Sequence, residues 1–165
     1  MQQRPSSMTR KSYFEDFLVG ATSNLGEHTF SQDEMIAFAE KFDPQPVHID
    51  PDAARQSSYG GLIASGLYTC SVMMGMLTKQ VLLQSSAMGS TGIDEIRWLK
   101  PVRPGDTMTV SLVIEGARLS HTRFDRGVIV MRWDGTNQHG EQIVYVRAKL
   151  MFGRRPPHTT ENQSA

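Results

Sequence analysis

The residues of this chain best suited to chemistry are Asp43 and His48, in the stretch FDPQPVHID with prolines at 44 and 46 between them. A carboxylate and an imidazole held toward one point by a stiff connection can grip a water, remove one proton and supply another. Asp43 falls at the end of a helical pattern, where the backbone dipole disfavours a carboxylate, so it is a poor choice for stability. A hydrogen bond from a following backbone amide is the plain alternative. From spacing alone, that turn-and-cap reading stands beside the catalytic one. Burial at a helix end would raise the carboxylate pKa, and nearness to the next helix N-terminus would favour neutral imidazole. Both directions suit an acid and a base working near neutral pH.

Other reactive side chains form weaker patterns. Cys70 lies in an apolar run, where a thiol usually packs as a small hydrophobe. His28, His121, His139 and His158 are scattered without metal-ligand spacing, so no metal is expected. Met73, Met74, Met76 and Met88 read as core packing, with the lining of an acyl tunnel as the alternative. Lys100 and Arg103 read as solvated turn residues, or as contacts for the phosphates of a ligand. There is no P-loop and no G-x-G-x-x-G run.

Asp43 and His48 need elements to hold them. A helix is predicted from Gln32 to Phe42, with Ser31 as N-cap, Glu34 closing a capping box and Phe30 stapled onto Met35. Pro44 stops it, because the residue before a proline is pushed out of the α region. Asp43 to Ile49 reads as irregular, and Asp50-Pro51 opens a short helix to about Ser57. After Tyr59-Gly60-Gly61 comes the longest helical pattern, Leu62 to Leu83, apolar on nearly every side for four turns. Such a helix should lie inside, wrapped by something else.

The second half supplies the wrapping, since its period changes to two. Met108, Val110, Leu112 and Ile114 share one face of a strand. Ile129, Met131 and Trp133 share a face of the next, and Val144, Val146, Ala148, Leu150 and Phe152 of another. A further strand is predicted over Ile93 to Leu99. Pro104-Gly105-Asp106, Arg126-Gly127, Asp134-Gly135 and His139-Gly140 read as turns. Short connections imply an antiparallel meander. The predicted class is α+β, a curved antiparallel sheet around a long central helix: the hotdog arrangement.

The stretch FDPQPVHIDPDAARQSSYGGLIASGLYT resembles the MaoC-like dehydratases, a family that includes (R)-specific enoyl-CoA hydratases and the hydratase domains of peroxisomal multifunctional enzymes. The family's hydratase motif is Asp, four residues, His, a short helix, then Gly heading the central helix. It falls here on Asp43, His48 and Gly66. LKPVRPGDTMTVSLVI is similar to the family's strand–turn–strand, with Pro101, Val102, Gly105 and Asp106 in pattern, and the similarity runs from about Tyr13 to Gly153. The resemblance implies that Asp43 and His48 activate water for syn addition across the 2,3 double bond of an enoyl thioester. It implies that the Gly66 N–H binds the thioester carbonyl. It also implies no cofactor, coenzyme A entering as part of the substrate, and a homodimer or dimer-based oligomer.

Many members carry His-Gly where this chain has Ser65-Gly66. A backbone donor survives that change, and Ser65 either caps the helix or adds a hydroxyl contact to substrate. Two other functions stay open. A hotdog thioesterase would need an acidic residue or Asn on the central helix, and Leu62 to Thr78 has neither. A non-catalytic acyl-thioester-binding protein would have no use for the intact Asp43/His48 pair.

Composition bounds the partners. The 165 residues are 39% hydrophobic and 21% charged, which fits a globular chain. One domain is expected over residues 13–153, with flexible tails at 1–12 and 154–165. Lys+Arg and Asp+Glu balance at 17 each, so nothing draws the chain to nucleic acid or an anionic membrane. Cys70 is the one cysteine, which excludes an internal disulfide and fits a reducing cytoplasm. Gly60 to Thr78 is uncharged but rich in Gly, Ser and Thr, in a chain of mean hydropathy −0.35, and reads as a buried helix, not a membrane span. The polar, basic N-terminus lacks the apolar run of a secretory signal.

Overall fold

Period-two alternation builds the sheet. In the computed structural model, which describes residues 11–157, β1 is Thr22–Thr29, β2 Ala87–Trp98, β3 Thr107–Leu119, β4 Arg126–Asn137 and β5 Gln142–Gly153. The five strands pair antiparallel in the order β1-β3-β4-β5-β2, so β1 and β2 are the edges. The alternating apolar residues of β3, β4 and β5 point inward together, and Met108, Val110, Ile129, Met131 and Phe152 are fully buried. The outer face carries ion pairs such as Arg147–Glu115 and Lys149–Asp94. Partly exposed pairs of this kind contribute little to stability.

Four helices cover the inner face or lead to it: α1 Gln32–Phe42, α2 Pro46–Ile49, α3 Pro51–Gln56 and α4 Gly66–Gln80. The Ser31 hydroxyl accepts from the Glu34 N–H and donates to the Glu34 carboxylate, and Phe30 and Met35 are both buried beside this cap. α4 is the central helix of the hotdog fold. It buries Thr69, Met73 and Leu77, one residue per turn. Full burial of a Met or Leu side chain is worth about 1.5–3 kcal/mol each.

Several expectations need correction. α4 begins at Gly66 and not Leu62, because residues 62–65 are tied in extended form to their neighbours: Ile63 N–H donates to Val47 O and Ala64 N–H to Val102 O. Nor is α4 wrapped on every side, since Leu67 and Met74 are exposed. The stretch expected to be irregular contains α2, whose single turn starts on Pro46. Asp134-Gly135 is no turn but lies within β4, at a close approach: a Cβ on Gly135 would stand 2.6 Å from Met108 Sδ and 2.8 Å from Val144 Cγ1. Arg126-Gly127 likewise opens β4.

β1 was not foreseen. Only Leu25 of its residues is buried, and a bulge between Asn24 and Gly26 breaks the alternation. Gly26 sits there at φ +110°, its N–H donating to Asn24 Oδ1. The start of the expected C-terminal tail is anchored: Arg154 pairs with Glu15 and Arg155 with Asp16. Ser12 is anchored too, its N–H donating to Gln84 O. Residues 1–10 and 158–165 of the expected tails, His158 among them, lie outside the described residues.

Candidate active site

Asp43 is the residue on which α1 ends, its N–H still donating to Ala39 O while its own ψ of 63° turns the chain away. Pro44 prevents a further turn. α2 then delivers His48 inward, where it is 7% exposed. His48 Nδ1 lies 2.9 Å from Ile63 O, and Ile63 N–H donates back to Val47 O at 3.2 Å, so the two segments clamp the ring between them. A carbonyl can only accept, so Nδ1 carries a proton. The other nitrogen, Nε2, stands 3.4 Å from Asp43 Oδ2.

The Asp43 carboxylate is well supplied with donors. Gln45 Nε2 donates to Oδ1 and Ser65 Oγ to Oδ2, each at 2.7 Å. These two bonds, Gln45's first, hold the Asp43 carboxyl below its ordinary range against the effect of burial. The rise expected from burial is overturned. The helix end turns out to be open enough, and rich enough in donors, for the opposite outcome. His48 sits in the last turn of α2, two residues before Asp50, which caps α3 through the Asp52 and Ala53 amides.

Ser65 is completely buried and caps α4, accepting from Leu67 N–H at 3.2 Å. Its hydroxyl proton goes to Asp43, so Ser65 supports the carboxylate from behind and is not among the residues lining the cleft. Next to it, Gly66 does line the cleft. Among the described residues nothing accepts a hydrogen bond from the Gly66 N–H. The carbonyl of the same peptide unit, Ser65 O, accepts from both Thr69 N and Thr69 Oγ1, at 3.1 and 3.3 Å. Donors on the oxygen polarise the peptide and strengthen its N–H.

The structure therefore brings Asp43, His48 and Gly66 to one cleft of about 470 Å³, with Ser65 immediately behind. Its apolar wall includes Ile63, Val102, Ile143 and Val144, and Trp98 and Tyr59 stand at the exposed side. Sequence reasoning missed Gln45, Thr69 and Trp98. Gln45 offered a signal, an amide two residues past Asp43 between two prolines. Thr69 and Trp98 offered none, because their roles depend on where α4 meets the end of β2.

The other candidates lie apart from this chemistry or are engaged. Burial pushes the Cys70 thiol up, away from thiolate. Lys100 lines the cleft but pairs with Glu141, and Arg103 donates to Tyr59 O. His28 packs edge-on against Phe30. Among the described residues no three His, Cys, Asp or Glu side chains gather as a metal site, and no helix is long and apolar enough to cross a membrane.

A hotdog fold with an Asp–His pair beside an unpaired amide at the head of its central helix defines the class as MaoC-like hydratases and dehydratases. Residues 18–132 match the MaoC like domain, and the chain belongs to that family. A MaoC-like dehydratase of Rhodospirillum rubrum of known structure is 36% identical, with a TM-score of 0.80 over 87% of this chain and 98% of that one. The 3-hydroxybutyryl-CoA dehydratase of Methylorubrum extorquens is 32% identical over 64% of this chain and 65% of its own length. The protein YdeM of Bacillus subtilis, itself uncharacterised, is 24% identical over 85% of this chain and 98% of its own.

Proposed function

We propose that this chain is a hydro-lyase that interconverts 2-enoyl thioesters and 3-hydroxyacyl thioesters, with (R) configuration at the new centre. The observation that carries the reading is the Asp43 Oδ2–His48 Nε2 approach of 3.4 Å in the cleft that Gly66 also lines. With Nδ1–H bound to Ile63 O and Asp43 ionised, both facing atoms are acceptors. A water bridging both atoms from the cleft side donates a proton to each and turns its lone pair to the β-carbon. As the C–O bond forms, the pair takes one water proton and a proton returns to the α-carbon from the same side, giving net syn addition of H and OH. The Gly66 amide holds the thioester oxygen as it gains enolate charge. The acid and base steps belong to the pair and not to one member.

The reading asks for no cofactor or metal, because the thioester itself acidifies the α-proton; coenzyme A enters as part of the substrate. The working unit is a homodimer in the cytoplasm, the edge strand β2 pairing with its copy. Its exposed Met88 and Ile93, with Met74 of α4, support an apolar interface there. The test is loss of enone absorbance with C4 to C12 2-enoyl-CoAs, followed by chiral analysis of the 3-hydroxyacyl product. No loss at any chain length, and none with carrier-protein thioesters, overturns the reading.

A further inference from the structure

We propose that Trp98 is a positioning residue for the hydration reaction, fixing the Gly66 amide that binds the thioester carbonyl; this rests on the hydratase reading above. Trp98 closes β2 and lines the cleft with its ring 51% exposed. Its indole Nε1 donates to Gly66 O at 3.0 Å. The nitrogen edge of the ring also packs against the glycine. A Cβ on residue 66 would stand 2.6 Å from Trp98 Nε1 and 2.7 Å from Cε2, closer than real side chains approach.

That contact explains the glycine. Gly66 is not among the residues with positive φ, so its backbone conformation is open to any amino acid. Space, not torsion, excludes a side chain, and Trp98 is what fills the space. Residue 66 is held on both sides: Thr69 binds the Ser65 carbonyl ahead of it, and the indole binds its own carbonyl behind. An N–H between two anchored carbonyls cannot swing, and a donor that needs no reorientation when charge develops is what oxyanion stabilisation requires.

Four variants test this: Trp98→Phe, Trp98→Ala, Gly66→Ala, and Gly66→Ala with Trp98→Ala. Trp98→Phe keeps a ring but loses the donor. It should lower kcat about tenfold with KM little changed, because the lost support matters most in the transition state. Gly66→Ala should cost about a hundredfold or more. Adding Trp98→Ala to Gly66→Ala removes the clash, so the double variant should exceed Gly66→Ala by about tenfold although Trp98→Ala alone is harmful. Thermal melts check that each variant folds.

A second readout needs no turnover. Trp133 is 1% exposed, so Trp98 is the tryptophan able to report on the cleft. Butyryl-CoA, saturated and inert to hydration, should change the tryptophan emission of the parent protein and leave that of Trp98→Phe unchanged. Unliganded Gly66→Ala should show shifted emission as its methyl displaces the ring. Parental kcat in Trp98→Phe, or losses that simply multiply in the double variant, overturn the proposal while leaving the hydratase reading intact. A parent protein inert toward every enoyl thioester overturns both.

Discussion

His48 Nδ1 donates to the main-chain oxygen of Ile63 across 2.9 Å, and that bond decides which ring nitrogen meets Asp43. Ile63 belongs to the extended segment leading into α4, so the tautomer of the imidazole and the start of the central helix are set by one stretch of backbone. The pair's chemistry is thereby coupled to the position of Gly66 three residues on.

Removing either member of the pair should abolish most of the hydration. Asp43→Asn keeps the shape but loses the charge and one of the two oxygens that accept from Gln45 and Ser65, and His48→Ala loses the ring. Each should reduce kcat/KM by about a hundredfold or more. His48→Ala also leaves Ile63 O without its side-chain donor, at a cost of about 1 kcal/mol to stability, so a modest drop in Tm is expected alongside the kinetic loss. Near-parental turnover in either variant, with a good substrate, would show that the pair is not the catalytic centre.

Ser65→Ala separates support of the carboxylate from chemistry. The Gln45 and Ser65 hydrogen bonds lower the Asp43 pKa, so the ionised form persists to lower pH than for an ordinary aspartate. The acid limb of kcat/KM attributable to Asp43 should lie below the ordinary range, and Ser65→Ala should move it upward. The same sign holds for stability. A carboxyl depressed by folding stabilises the protein above its unfolded pKa, and that contribution is lost as pH falls through the folded value. Ser65→Ala should therefore flatten the fall in Tm between about pH 5 and pH 3. It should also remove the α4 N-cap at a cost of about 1 kcal/mol at neutral pH. An acid limb unmoved by Ser65→Ala would place the titrating group elsewhere.

Much of this was legible where the sequence is locally consistent. α1 matches its expected bounds because the Ser31 cap and Pro44 both act within a few residues of the helix they delimit. The buried faces of β3, β4 and β5 follow from alternation. The Asp43–His48–Gly66 constellation was legible only through resemblance, since spacing alone left a turn-and-cap reading open. What stayed hidden depends on contacts distant in sequence. Ser65 reaches back 22 residues to Asp43, and Trp98 reaches 32 residues to Gly66. The bulge at Gly26 concealed β1 by breaking its alternation, and Asp134-Gly135 reads as a turn although close packing, not a turn, is what requires Gly135 within β4.

Pairing of β2 across a two-fold axis predicts a homodimer at micromolar concentration. Ile93→Lys on that strand adds a charge that meets its own copy or apolar surface in such an interface. Light scattering should give twice the chain mass for the parent protein and a shift toward the chain mass for the variant. A parent protein monomeric at those concentrations would leave the exposed face of α4 and β2 unexplained by self-association.

Hydration and thioester hydrolysis place water differently, and this separates the reading from its nearest rival. If the carbonyl oxygen sits at the Gly66 amide, a water held by Asp43 and His48 is directed to the β-carbon, and the C–S bond is left intact. A hotdog thioesterase would direct water to the carbonyl carbon with a carboxylate or amide from its central helix. α4, GLYTCSVMMGMLTKQ, presents no Asp, Glu or Asn. Crotonyl-CoA should therefore yield (R)-3-hydroxybutyryl-CoA with free thiol at background level. A thiol reagent run beside the absorbance assay decides the matter. Thiol appearing in step with substrate loss, without hydroxyacyl product, would make the chain a thioesterase and leave the Asp43–His48 pair without a role.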